Sequence, residues 1–92
     1  MITPDTRVCA RTDLLSTEVD GEAVMMDVES GLYFTLDPVG TRIWKGLAEP
    51  VEVAALCRVL EQEYDAPLPV IERDVLALMQ DLAARNLITV DR

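Results

Sequence analysis

Gly31-Leu32-Tyr33-Phe34-Thr35-Leu36-Asp37 is the stretch on which the reading of this chain turns. Leu32, Phe34 and Leu36 alternate with Tyr33 and Thr35, a period of two that predicts a strand with two unlike faces. Asp37-Pro38 follows at once. The aspartate can cap free backbone N–H groups, and proline is favoured at the first helical position, so a helix is expected to start there. Strands therefore lie before this stretch and helices after it.

Working back, Glu29-Ser30-Gly31 is a turn, and Glu22 to Val28 reads as a strand. Its Val24, Met26 and Val28 share one side, and Ala23, Met25 and Asp27 the other. Asp20-Gly21 is a two-residue turn of the type that accepts positive φ at both positions. A first strand over Asp13 to Val19 puts Leu15, Thr17 and Val19 on one face. Three antiparallel strands joined by tight turns make a meander. Its open edges are the first strand and Leu32–Leu36, and it must lean on the helices to bury a face. Val8 to Arg11 adds a short extended piece, and residues 1–7, polar and holding Pro4, read as a flexible lead-in.

Working forward, the first helix runs to about Leu47, with Val39, Ile43 and Leu47 four apart and Trp44 assigned to the core. A second, from about Val51 to Tyr64, aligns Val53, Leu56, Cys57, Leu60 and Tyr64 on one face. Two prolines within Asp65–Pro69 break it. A third helix spans about Pro69 to Arg85, with Asn86 as a left-handed cap. Ile71, Val75, Leu78 and Leu82 form its first apolar stripe. Leu76, Met79 and Ala83 form a second, which either completes the core or lines a groove. Leu87 to Val90 is a short apolar tail, a strand or a plug. The fold class is α+β and winged-helix-like: a three-stranded antiparallel sheet packed on a C-terminal three-helix bundle, in one domain over residues 1–92.

Ninety-two residues with a formal charge of −9 and no histidine exclude most chemistry. Nucleic-acid binders need clustered Lys and Arg, and here the third helix carries Glu72, Asp74 and Asp81, so a nucleic-acid partner is not expected. Ser16 and Ser30 lack a base partner, and paired carboxylates such as Glu72 and Asp74 stand two apart and do not face each other on a helix. No catalytic role follows. Cys9 and Cys57 are far apart and form no Cys-x-x-Cys pair; with no histidine, neither a metal nor another cofactor is expected. The sequence offers no apolar segment of membrane-spanning length, so a cytoplasmic protein with no membrane partner is expected.

Several runs together resemble the PqqD family: Asp20 to Val24, Asp27 to Asp37, Gly40-Thr41-Arg42-Ile43-Trp44, the Val53 to Tyr64 helix, Glu72 to Val75, and Leu82 to Ile88. The likeness covers roughly residues 13 to 90. Asn86 departs from it, standing where relatives commonly have glycine, and Asn tolerates the same backbone region. The resemblance implies a small chaperone-like domain that binds the leader of a ribosomally made precursor peptide. Such a domain presents the leader to a modifying enzyme such as a leader peptidase, a cyclase or a radical enzyme. The Leu-Tyr-Phe-Thr-Leu-Asp run is closer to the lasso-peptide branch than to the quinone-cofactor branch. The resemblance also implies that the leader adds a strand beside the third strand and rests on the third helix. Carried onto this chain, the peptide-binding residues are Leu32, Tyr33, Phe34, Thr35, Leu36, Arg73, Asp74, Leu76, Met79, Gln80, Asp81 and Ala83.

Elementary physics is consistent with that picture. Strand addition needs an edge with unpaired backbone groups, and selectivity must then come from pockets for alternate side chains. Leu76 and Met79 are candidates for the pockets, and Asp74 and Asp81 for attracting a basic leader residue. Tyr33 and Phe34 must point to opposite faces, and the pattern does not say which meets the guest. Two other readings compete: a self-pairing structural module that dimerises through its open edge, and a winged-helix regulator.

Overall fold

Asp20 and Gly21 both adopt positive φ, 53° and 82°, which lets β2 (Leu15–Val19) fold straight back on β3 (Glu22–Asp27). A second turn, with Gly31 at φ 72°, returns the chain as β4 (Leu32–Thr35). In this computed structural model, which describes residues 2–91, the three strands form an antiparallel sheet in the order β2-β3-β4. The expected meander is present.

Asp37 caps α1 (Pro38–Lys45): its Oδ1 accepts from the Gly40 N–H at 2.7 Å. A side chain at Gly40 would press on that carboxylate, since a Cβ there would lie 3.1 Å from Oδ1. α2 (Val53–Glu63) and α3 (Leu68–Ala84) follow. As anticipated, Asn86 ends α3 in the left-handed region, at φ 59°.

A second sheet is the main feature not foreseen. β1 (Arg7–Ala10) sits between β5 (Val51–Glu52) and β6 (Ile88–Asp91). It pairs Arg7 with Asp91 and Val8 with both Val51 and Val90. β5 is two residues long, too short to leave a period in the sequence. The architecture is α+β, with two three-stranded antiparallel sheets and three helices.

The lead-in is also not loose. Ile2 and Thr6 are buried. Glu52, at the N-cap of α2, makes no side-chain capping bond; instead the Val53 N–H donates to Thr6 O and the Ala54 N–H to Pro4 O, at 3.0 and 2.8 Å. Helix ends leave N–H groups that need acceptors, and this segment supplies them. Met1 lies outside the described residues.

One core joins these parts. Met25, Leu47, Val53, Cys57, Leu60, Val75, Met79 and Leu82 are buried almost completely. Trp44 is only half-buried and packs against that core from its margin. Both cysteines are free thiols.

α1 is tied to the sheet through Thr41, a buried polar residue. Its hydroxyl accepts from the Ala23 N–H at 2.8 Å and donates to Leu36 O at 3.3 Å. α1 is tied to the end of α2 by Arg42, whose guanidinium grips both oxygens of Glu63. That hydrogen bond is the main reason the Glu63 carboxyl sits below its ordinary value of 4.5. A carboxylate with a lowered value stabilises the fold above its unfolded value and loses that contribution as pH falls through the folded one. Glu63→Gln should therefore lower Tm near neutral pH, and its gap to the wild-type chain should close as pH drops below 4.5. A gap of unchanged size from neutral pH to strong acid would show that the pair contributes nothing through charge. Thermal melts across pH read this directly.

Candidate functional site

Among the described residues, β4 has a strand on one side only. The Leu36 N–H donates to Ala23 O at 3.0 Å, one step beyond the Val24–Thr35 pair. Hydrogen-bonded and non-hydrogen-bonded pairs alternate along an antiparallel ladder. Phe34 therefore turns its backbone groups toward β3, whereas Tyr33 and Thr35 turn their N–H and C=O groups to the open edge.

The register also settles the side chains. Phe34 pairs with Met25 and Tyr33 with Met26. Met25 is fully buried beneath the helices, so Leu32, Phe34 and Leu36 share the helix-facing side, on which Phe34 and Leu36 pack against the core. Tyr33 points away from it and is 70% exposed.

Beside the β4 edge runs a trough. Thr35, Leu36, Asp37, Val39, Gly40 and Ile43 face Asp74 and Leu78 across a cleft of about 340 Å³. A recess of about 90 Å³ continues it past Phe34, Asp81 and Arg85. At the other end, around Val39, Ile43 and Asp74, it adjoins an apolar hollow of about 190 Å³ floored by Leu60, Ile71 and Val75. α3 contributes Asp74, Leu78 and Asp81, and its C-cap adds Arg85; they are spaced i, i+4, i+7 and i+11, which is one flank of a helix.

The lip is acidic, and its charges are held loosely. Arg85 pairs with Asp81 at 3.1 Å and lies over the Phe34 ring, 5.6 Å from its centre. Arg73 reaches Asp74 at 3.3 Å. All four partners are at least half exposed, and such surface pairs hold at most about 1 kcal/mol. An incoming cation can displace them. The arrangement offers unpaired backbone groups, an apolar floor and negative charge. Cys57, outside the trough, is fully buried, and burial, with Glu72 nearby, pushes its thiol up.

A model of the family described as coenzyme PQQ synthesis protein D (PqqD) matches residues 22–88. The chain belongs to the PqqD family. Among solved structures, TbiB1 in complex with the TbiA(beta) leader peptide is similar at 31% identity and a TM-score of 0.80, over 87% of this chain and 93% of that one. A lasso peptide synthetase B1 complexed with the leader peptide shares the fold at 24% identity and a TM-score of 0.78, over 89% and 96% of the two chains. No curated protein matches the chain significantly.

In this PqqD-family chain the trough gathers some of the residues singled out in the sequence and leaves others aside. Phe34, Thr35, Leu36, Asp74 and Asp81 line it. Leu32 is exposed at the Gly31 end of β4, and Tyr33 contributes its backbone groups to the edge. Met79 is fully buried, which corrects its assignment as a pocket for a guest: at 100° per residue it falls within the core stripe with Ile71, Val75 and Leu82. Leu76 and Ala83 lie on the far flank of that stripe, packed against the core, and Gln80 and Arg73 are on the exposed back. Leu78 and Arg85 were not named for the site. Their spacing from Asp74 and Asp81 is the signal that would have found them.

Proposed function

We propose that this chain is a non-catalytic protein that binds the leader segment of a ribosomally made precursor peptide and presents it to a maturation enzyme. The leader lies as an added strand on β4, with alternate side chains entering the trough beside α3. The observation that carries this reading is the outward set of Tyr33 and Thr35 backbone groups next to an acid-lipped apolar trough. Strand addition uses such edges, taking affinity from the backbone and selectivity from adjoining pockets. The 31% identity, over 87% of this chain, to TbiB1 in complex with a leader peptide supports the same class of guest. The Leu32-to-Asp37 run favours a lasso-peptide precursor over a quinone-cofactor one.

The test is a titration of the labelled leader encoded beside this chain's gene. Saturable one-to-one binding is expected. If that leader carries Lys or Arg, Asp74→Asn with Asp81→Asn should weaken it roughly threefold to tenfold and flatten the salt dependence. No saturable binding by the wild-type chain would sink the reading. Unchanged affinity in the double variant would remove the acidic lip from it.

A further inference from the structure

Among the described residues, nothing forms a covering layer on the opposite face of the β2-β3-β4 sheet. α1 packs on the side of Ala23 and Met25, both buried. The other side presents Leu15, Thr17, Val24, Met26 and Tyr33 around a shallow dish of about 190 Å³. The register places them in two rows, Leu15–Met26–Tyr33 and Thr17–Val24–Thr35. Leu15 is 58% and Val19 54% exposed, which is high for apolar side chains on one sheet face.

The rim has one sign. From Thr12 to Thr41 the chain holds seven acids and neither Lys nor Arg. Glu18 and Asp27 turn to the helix side and are answered by Lys45 and Arg11. Asp20 and Glu22 border the apolar rows with no basic partner among the described residues. A second copy would bring the same negative rim to the contact, and like charges across an interface oppose it. The complementary surface is apolar at its centre and flanked by Lys and Arg. This face is also continuous with the proposed leader edge, because Tyr33 and Thr35 belong to both: their side chains lie here, and their backbone groups point to the guest.

We infer that this uncovered sheet face is the docking surface for the maturation enzyme, which meets it with an apolar patch ringed by basic residues. The inference rests on the leader-binding reading above. It places enzyme and leader on adjoining surfaces of one sheet, so that both can be held at once.

The experiment uses the full chain, its leader peptide and the purified maturation enzyme encoded beside it, with leader and enzyme affinities measured in separate arms. Leu15→Lys with Val19→Lys should weaken enzyme binding at least about tenfold while leader affinity stays within about twofold. Asp20→Asn with Glu22→Gln should weaken enzyme binding by a smaller factor and make it less sensitive to salt. Should the lysine pair fail to fold by circular dichroism, Leu15→Ser with Val19→Thr replaces it, with a loss of about threefold expected. Enzyme affinity unchanged in a folded variant would overturn the inference alone. So would a wild-type dimer that the variant dissociates without loss of enzyme binding, because a second copy would then own the face. A wild-type chain that binds no leader would overturn the functional reading, and this inference with it.

Discussion

A folded Thr35→Pro variant should lose leader binding. The Thr35 N–H points to the open edge and serves no bond to β3, so the fold does not need it, and proline is tolerated on edge strands at such positions. A guest strand does need it. Removing the donor deletes one ladder bond and strands the guest's carbonyl, a loss of roughly 2 kcal/mol or about thirtyfold in affinity. Phe34→Pro is the matched control: its N–H faces β3, so this variant should be damaged in stability first. The pair is read by peptide titration beside a denaturant melt. Wild-type affinity in folded Thr35→Pro would rule out pairing at this edge.

The second large effect separates two neighbours on α3. Met79 is fully buried, and Met79→Ala should cost about 2–5 kcal/mol of stability through lost contacts and the cavity left behind. Its effect on the affinity of the folded fraction should be small. Leu78 is half-buried and lines the cleft opposite Leu36. Leu78→Ser should cost about 1 kcal/mol of stability and weaken the leader about tenfold, the value of one anchoring side chain. The reverse outcome, with Met79→Ala stable but unable to bind, would mean that α3 is rotated from the phase described.

That pair of residues also marks where the sequence stops being legible. The meander, the Asp37 cap, the three helices and the Asn86 terminus each leave a local signature, because a turn or a cap is decided by a few adjacent residues. The edge could be placed for the same reason: a three-strand meander has only two. Helix phase on α3 could not be read, since Val75, Leu76, Leu78, Met79 and Leu82 are all apolar and wrap nearly half the cylinder. Only the partners of α3 decide which of them is core. The β5-β1-β6 sheet was hidden for another reason, in that its pairings span up to 84 residues (Arg7 to Asp91) and one of its edge strands, β5, is only two residues long. Nothing in the sequence announced that Pro4 and Thr6 would cap α2, because backbone carbonyls carry no residue code.

Thr41 has a mechanical consequence. Its hydroxyl takes the Ala23 N–H and gives to Leu36 O, so the hydrogen-bond ladder between β3 and β4 runs into a helix at one end. At the other end it runs into the exposed Glu29-Ser30-Gly31 turn. The hairpin is thus a cantilever, clamped beside Thr35 and free beside Leu32, and local openings begin where packing is thinnest. A guest strand paired along it, as proposed, would be indexed to the helices at the Thr35 end and would ride a compliant tip at the other. On that proposal the clamp would decide where along its length a leader is gripped hardest.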